Sequence, residues 1–193
     1  MKKERRAFFG KVSKAGALLL TAGAVSGTAL QAKNGKGAGS GGTTALSEAK
    51  KDKLFYIYQE EKVARDVYIT LGELYPEENT FAMIQLSEQR HIEAAGTLCE
   101  RYGVDISYVN LDTVGQFELP VLQQLYDTCV TQGSLSKLDA LKVGELIELT
   151  DIDDLESAMD GMPQDVVNVF SNLKEGSLNH LDAFRRAIAR EEA

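Results

Sequence analysis

The sequence predicts an all-α protein: an antiparallel bundle of four long helices, with a short extra helix between the second and third. Three observations carry this. Beyond position 46, apolar residues recur at spacings of three and four, and no run alternates apolar with polar residues as a half-buried strand would. The runs break at Pro76, Gly103, Gly133 and Gly161, residue types that stop helices. Four of the resulting segments are long and one is short, the make-up of a bundle.

The first helix runs from about Ser47, a reasonable N-cap, to Tyr75, where Pro76 ends it. The second starts near Asn79 or Thr80 and runs to Tyr102, closed by Gly103. Residues 104–117 read as a connection. A short helix spans about Leu119 to Gln132 and stops at Gly133. Ser134 can cap the third long helix, which runs to about Thr150 or, through a kink, to Met159; Asp151 and Asp153-Asp154 are points where it could restart. Gly161 ends that segment. Pro163 suits the first turn of the last helix, which runs to about Arg190.

A length of 193 residues suits one domain, and 44% apolar with 26% charged residues is a globular balance. Nine of the 17 glycines lie in residues 1–42, and six of the 21 basic residues lie in the first 14 positions, against the single acid Glu4. The formal net charge of −8 therefore averages two unlike parts. Without residues 1–32 the chain keeps 15 bases and 28 acids, a net of −13. A body that acidic repels nucleic acid and attracts cations. Two cysteines, Cys99 and Cys129, are too few for a disulfide framework; they form one bridge or stay free.

Residues 1–32 read as a secretory signal peptide: a basic start, the uncharged and mildly apolar run 15–30, then small residues leading to Ala32. The run is short and weakly apolar for a membrane span, so no stable span is expected after cleavage; an uncleaved anchor is the competing reading. Arg5-Arg6 followed by Ala7-Phe8-Phe9 and Lys11 resembles the twin-arginine export signal, which implies a periplasmic or otherwise extracytoplasmic protein carried out already folded. Glu4 stands where that signal usually has serine, and its usual lysine is displaced by one residue. Residues 33–46 are a Gly-rich linker, and the folded domain is expected over 47–193.

Each long helix carries polar groups in the middle of its apolar stripe. The second gives Phe81, Ile84, Glu88, His91, Ala95, Leu98, Tyr102; the third gives Leu138, Leu141, Glu145, Glu148, Ile152, Leu155, Met159. The last gives Val166, Phe170, Leu173, Ser177, His180, Phe184, Ala187, and the first gives Leu54, Tyr58, Glu61, Ala64, Tyr68, Leu71, Tyr75. An antiparallel bundle would gather these interruptions at one level. A buried, unpartnered carboxylate costs several kcal/mol at least, and a domain holds only about 5–15 kcal/mol of net stability. Protons, internal ion pairs, water or a cation must compensate. Both histidines of the protein, His91 and His180, fall in these stripes, and imidazole is the commonest transition-metal ligand.

Glu88-Gln89-Arg90-His91 is a Glu-x-x-His pair, which sets both side chains on one helix face. The stretch Glu61-x-x-Ala64-x-x-x-Tyr68 resembles the first helix of ferritins and rubrerythrins, where the glutamate binds iron. The order of Glu, Glu-x-x-His, Glu and His along the four helices is similar to di-iron carboxylate bundles. Residues 52–185 resemble more closely a ferritin-like family named only as domain of unknown function 2202. The matching stretches are Glu60 to Tyr68, Ser87 to His91, Asp139 to Gly144 and Gly176 to His180.

The resemblance implies a ferritin-like bundle with Glu61, Glu88, His91, Glu148 and His180 as metal ligands, and Glu60 and Glu145 as alternatives. Iron is the expected metal, with Mn2+ or another divalent ion as substitute, in a mono- or dinuclear site. Two irons would be bridged by Glu88 and Glu148. Tyr68 is placed to donate a hydrogen bond to a ligand or an oxidised intermediate, or else simply packs in the core. One departure stands out: the second Glu-x-x-His becomes Ser177-x-x-His180. Either Glu145 supplies the missing charge, or the second metal position is weak or absent.

Two functions stay open. One is an exported ferritin-like metalloprotein, an oxidoreductase if it oxidises Fe(II) with oxygen or peroxide. The other is a metal-free bundle for binding or scaffolding, its seam acids protonated or paired internally. Assembly surfaces are not legible, so a dimer is neither required nor excluded.

Overall fold

The computed structural model describes residues 45–193. The signal-peptide and twin-arginine readings, and nearly all of the linker, lie outside the described residues. Among the described residues there are five helices and no strand: α1 (Glu48–Leu74), α2 (Asn79–Arg101), α3 (Pro120–Gly133), α4 (Lys137–Ala158) and α5 (Gln164–Glu191). Helix α1 packs on α2, α3 and α4, and α5 packs on α2 and α4. The site is built where these four long helices face one another. No helix among the described residues is long and apolar enough to cross a membrane.

The helix ends follow local chemistry, with three corrections. Ser136, not Ser134, caps α4: its hydroxyl accepts from the Asp139 amide at 3.0 Å. Pro163 is the N-cap of α5 rather than a residue of its first turn. Helix α4 passes through Asp151 without a break, because that side chain points inward instead of capping a new start. Gly103 and Gly161 close α2 and α4 as expected, at φ of 67° and 66°, where a side chain would be strained. Leu46, which composition places in the linker, is buried in the core with Leu54, Ile57 and Phe170. Both cysteines are free and buried, which settles the open pairing.

Helix α1 is covered on nearly every side, and residues from Ile57 to Tyr68 are all buried. The seam residues Tyr58, Glu61 and Tyr68 face α2, α4 and α5. The opposite side carries a charged hub that fastens the 102–119 connection. Lys62 Nζ donates to Asp66 Oδ2 at 2.5 Å, to Thr113 O at 2.9 Å and to Gln116 O at 3.1 Å. Arg65 donates to Asp66, Gln89 and Leu111 O, and Asp66 accepts from the Gly115 amide. Gln59 accepts from the amides of Glu118 and Leu119. These buried charges are tolerable because each has a partner. They also explain why Lys62, Arg65 and Asp66 stand inside a buried helix.

Candidate metal centre

The apolar stripes predicted for α1, α2 and α5 are the buried stripes observed, except that Tyr75 at the end of α1 is only half-buried. On α4 the frame is different. The inward residues are Leu141, Gly144, Glu148, Asp151, Leu155 and Ala158. Leu138, Ile152 and Met159, being apolar, pull a sequence reading onto a neighbouring frame, although all three are only half-buried. The correction removes Glu145 from the centre: it lies at the rim, where Arg185 Nε donates to its Oε1 at 2.9 Å. It adds Asp151, which sequence reasoning missed. The signal was the serine in the last helix, since Ser177 Oγ donates to Asp151 Oδ2 at 2.5 Å. The acid absent from position 177 stands across from it on α4.

Five of the expected residues come together. Glu61, Glu88 and His91 form one triad of ligand atoms, all within 4.8 Å of one another; Glu88, Glu148 and His180 form a second. Glu88 belongs to both. Its Oε2 lies 2.9 Å from His91 Nδ1 and its Oε1 lies 2.8 Å from His180 Nδ1. Glu61 Oε2 is 3.2 Å from His91 Nδ1, and Glu148 Oε2 is 3.5 Å from His180 Nδ1. The imidazoles stack with centroids 5.3 Å apart. Tyr68 donates its hydroxyl to Glu148 Oε1 at 2.6 Å, so its position suits the hydrogen-bonding role. Glu60 does not reach either triad, because one residue along a helix turns it about 100° away from Glu61; it faces Asp154 instead.

The electrostatics are those of a proton-loaded acid cluster. Burial raises the carboxyls of Glu61 and Glu148 to about 7, with the charge of Glu88 adding to the rise at Glu148 and neighbouring histidines pulling both down. Burial, then the charges of Glu61 and Glu148, push Asp151 well above the usual carboxylate range. Glu88 goes the other way: burial would raise it, but His180 and His91 hold it down to about 2. Burial works against a charge on His91 and His180, yet the facing carboxylates raise them to about 11 and about 9. The environment thus favours the charged form at Glu88 and at both imidazoles, and opposes ionisation of Glu61, Glu148 and Asp151.

The residues fit a transition-metal ion. Ligand atoms held at about 2.1 Å around one cation sit about 3 Å from each other, close to the spacings found here. Several buried atoms also lack a hydrogen-bond partner among the described residues: Glu61 Oε1, Glu88 Oε1, His180 Nδ1 and Asp151 Oδ1. Glu88 Oε1 and His180 Nδ1 are close but poorly aligned for a bond to each other. Mixed carboxylate and imidazole donors suit Fe, Mn or Zn better than Mg or Ca.

Over the described residues, fold and site define an all-helical domain with a buried Glu/His cluster that could hold metal. The chain belongs to the family described as uncharacterized protein domain DUF2202, which its residues 50–192 match. It is 40% identical over 144 residues to the uncharacterized protein MJ0754 of Methanocaldococcus jannaschii, covering 74% of this chain and 77% of that protein. It is also similar to the crystal structure of the hypothetical protein MJ0754, with a TM-score of 0.74 and 37% identity, over 80% of this chain and 88% of the other.

Proposed function

We propose that this protein is a ferritin-like four-helix-bundle metalloprotein that binds iron through Glu61, Glu88, His91, Glu148 and His180, and that it oxidises Fe(II) with oxygen or peroxide. The observation that carries this reading is the pair of buried triads sharing Glu88. Two triads joined by one carboxylate are what a dinuclear site needs, and the reading takes Glu88 as the bridge. Glu148 joins the second triad alone, where Tyr68 orients it.

Bound iron supplies the one-electron chemistry. The chain's own residues do the rest. Three carboxylates offset the positive charge that rises as iron is oxidised. Tyr68 holds Glu148 in orientation from behind, as outer hydrogen-bond partners of ligands generally do. Tyr68, Phe81 and Phe184 pack their rings 5.1 to 6.3 Å apart and exclude water from that side. His91 and His180 must give up protons to ligate, so metal uptake releases protons. Export through the twin-arginine route belongs to the same proposal: it would deliver the domain folded and already metallated.

The test is metal analysis of the purified protein after anaerobic Fe(II) loading, followed by Fe(II)-dependent consumption of oxygen or peroxide. Bound iron with turnover is the expected result. Binding without turnover leaves the metal site and removes the enzyme. No bound iron favours the second reading, a metal-free bundle for binding or scaffolding, which the internal pairing of Glu88 with both imidazoles supports.

A further inference from the structure

The two triads are not assembled alike. Glu61, Glu88 and His91 all stand on α1 and α2, whereas Glu88, Glu148 and His180 come from α2, α4 and α5. The second triad therefore depends on how α4 registers against α5, and the first does not. The α1–α2 pair has its own tie beside the first triad, where Arg65 Nη1 donates to Gln89 Oε1 at 2.6 Å. Among the described residues, α4 and α5 are joined by ion pairs of Lys137 with Glu191, Glu145 with Arg185 and Glu156 with Lys174, all between partly exposed side chains. Such pairs hold weakly, because water and salt screen them.

One further tie between these helices is buried. Ser177 Oγ donates to Asp151 Oδ2 at 2.5 Å, and the two residues are 1% and 4% exposed. Asp151 stands three residues after Glu148 on α4, and Ser177 three residues before His180 on α5. Three residues are about 4.5 Å of helix, close to one turn. The partners run in opposite order, 145 with 185, 148 with 180, 151 with 177 and 156 with 174, so the helices are antiparallel. The Asp151–Ser177 contact therefore lies one turn from the Glu148–His180 contact on both helices at once. A carboxylate is a costly core filler. Asp151 Oδ1 has no partner among the described residues, and an apolar side chain would avoid that cost. Sliding or rotating either helix breaks the bond and leaves its polar groups buried and unpaired, so the pair opposes both motions.

We propose that Asp151 and Ser177 are positioning residues for the Glu88–Glu148–His180 triad: their buried bond sets α4 against α5 so that Glu148 and His180 present their ligand atoms to one ion. This rests on the metal reading of the centre. Neither residue touches the ion. Tyr68 holds Glu148 from α1, and the Asp151–Ser177 pair fixes the two helices that carry Glu148 and His180. The role requires the hydroxyl at 177 and an acceptor at 151; a negative charge at 151 is not required. Leu173 O, 3.1 Å from Ser177 Oγ, is the competing acceptor, and the bond to Asp151 is the shorter one.

The experiment titrates the full-length chain, stripped of metal, with Co(II) and follows its visible bands. Glu61→Gln isolates the second triad and Glu148→Gln the first. In the Glu61→Gln background, Ser177→Ala and Asp151→Ala are expected to weaken Co(II) binding about fivefold or more and to shift its bands. In the Glu148→Gln background neither should change anything. Asp151→Asn keeps an acceptor for the hydroxyl and should recover parental binding and bands. The Ser177→Ala/Asp151→Ala pair should lose no more than either variant alone, since both remove one bond. Ser177→Ala removes a single oxygen and puts a better helix former in α5, so it folds. Parental binding and bands in Ser177→Ala would overturn the positioning role whatever its stability. So would equal losses at both triads, or an Asp151→Asn as weak as Asp151→Ala, which would assign the effect to charge. A parent that takes up no Co(II) at all would overturn the centre and the positioning role together.

Discussion

Glu88 Oε1 lies 2.8 Å from His180 Nδ1, and neither atom completes a hydrogen bond. Two buried polar atoms this close would normally align, since an unmade bond in a low-dielectric interior costs about 1–3 kcal/mol. They meet as an ion pair without an aligned hydrogen bond, an arrangement that a cation bound between them would relieve. Because Glu88 meets His91 with its other oxygen, one side chain couples the two halves of the centre.

Replacing that shared carboxylate should therefore affect both triads. Glu88→Gln is expected to weaken Co(II) binding at least tenfold at both positions, and Glu61→Gln at one only. Glu145→Gln, whose parent side chain pairs with Arg185 at the rim, should leave binding unchanged. Calorimetric titration of the three variants separates these outcomes. Equal losses for Glu88→Gln and Glu61→Gln would argue against a shared ligand.

The metal-free protein should lose stability as pH rises. His91 and His180 have folded pKa values raised to about 11 and about 9. Their contribution is fully present below the unfolded value of about 6.5 and is lost as pH climbs through those folded values. Glu61 and Glu148, raised to about 7, act with the same sign: their contribution is present below about 4.5 and lost through about 7. Melting temperatures in chelator should fall between pH 6 and pH 10, by on the order of 10 °C. Added Mn(II) should shrink or reverse that fall, because ligation competes with the same protons. A flat profile in chelator would show that these groups are not linked to folding.

Gly176 on α5 clears space for the His91 ring. A Cβ there would come within 2.5 Å of His91 Nε2. Gly176→Ala should displace the imidazole and weaken metal binding in the Glu61–Glu88–His91 triad about tenfold or more. Its effect on folding should stay small, since alanine gains up to about 1 kcal/mol in a helix interior and offsets part of the strain. Titration beside urea unfolding checks both halves. A large stability loss with unchanged binding would contradict this account.

Asp66 accepts from Lys62, Arg65 and the Gly115 amide at once. Asp66→Ala leaves two buried cations unpaired and the 102–119 connection unfastened. The expected cost is about 3–5 kcal/mol, read by urea unfolding, with proteolysis appearing first between residues 104 and 119. A cost under about 1 kcal/mol would mean that water replaces the carboxylate without loss.

Much of the fold and most of the candidate site were legible in the sequence. Three of the four seams held because their period was continuous and their punctuation was Pro and Gly. The α4 seam did not, and the reason is specific. Gly144 gives no apolar signal, yet it is buried because the Phe184 ring lies directly over it. Asp151 looked like a helix start, yet it is buried because Ser177 faces it. A frame shift of one residue exchanged Glu145 for Gly144 and Ile152 for Asp151.

By itself the sequence determined that the described chain is helical, where four of its five helices stop, and that acids and both histidines interrupt apolar stripes near mid-helix. Those properties are local, set by periodicity, capping and residue type. Only the tertiary structure decided that Glu88 serves two triads, that Glu61 and not Glu60 reaches them, and that Glu60 is left facing Asp154. These depend on the rotation of each helix about its axis, where about 100° per residue separates a buried ligand from its neighbour. Packing against the other helices fixes that rotation.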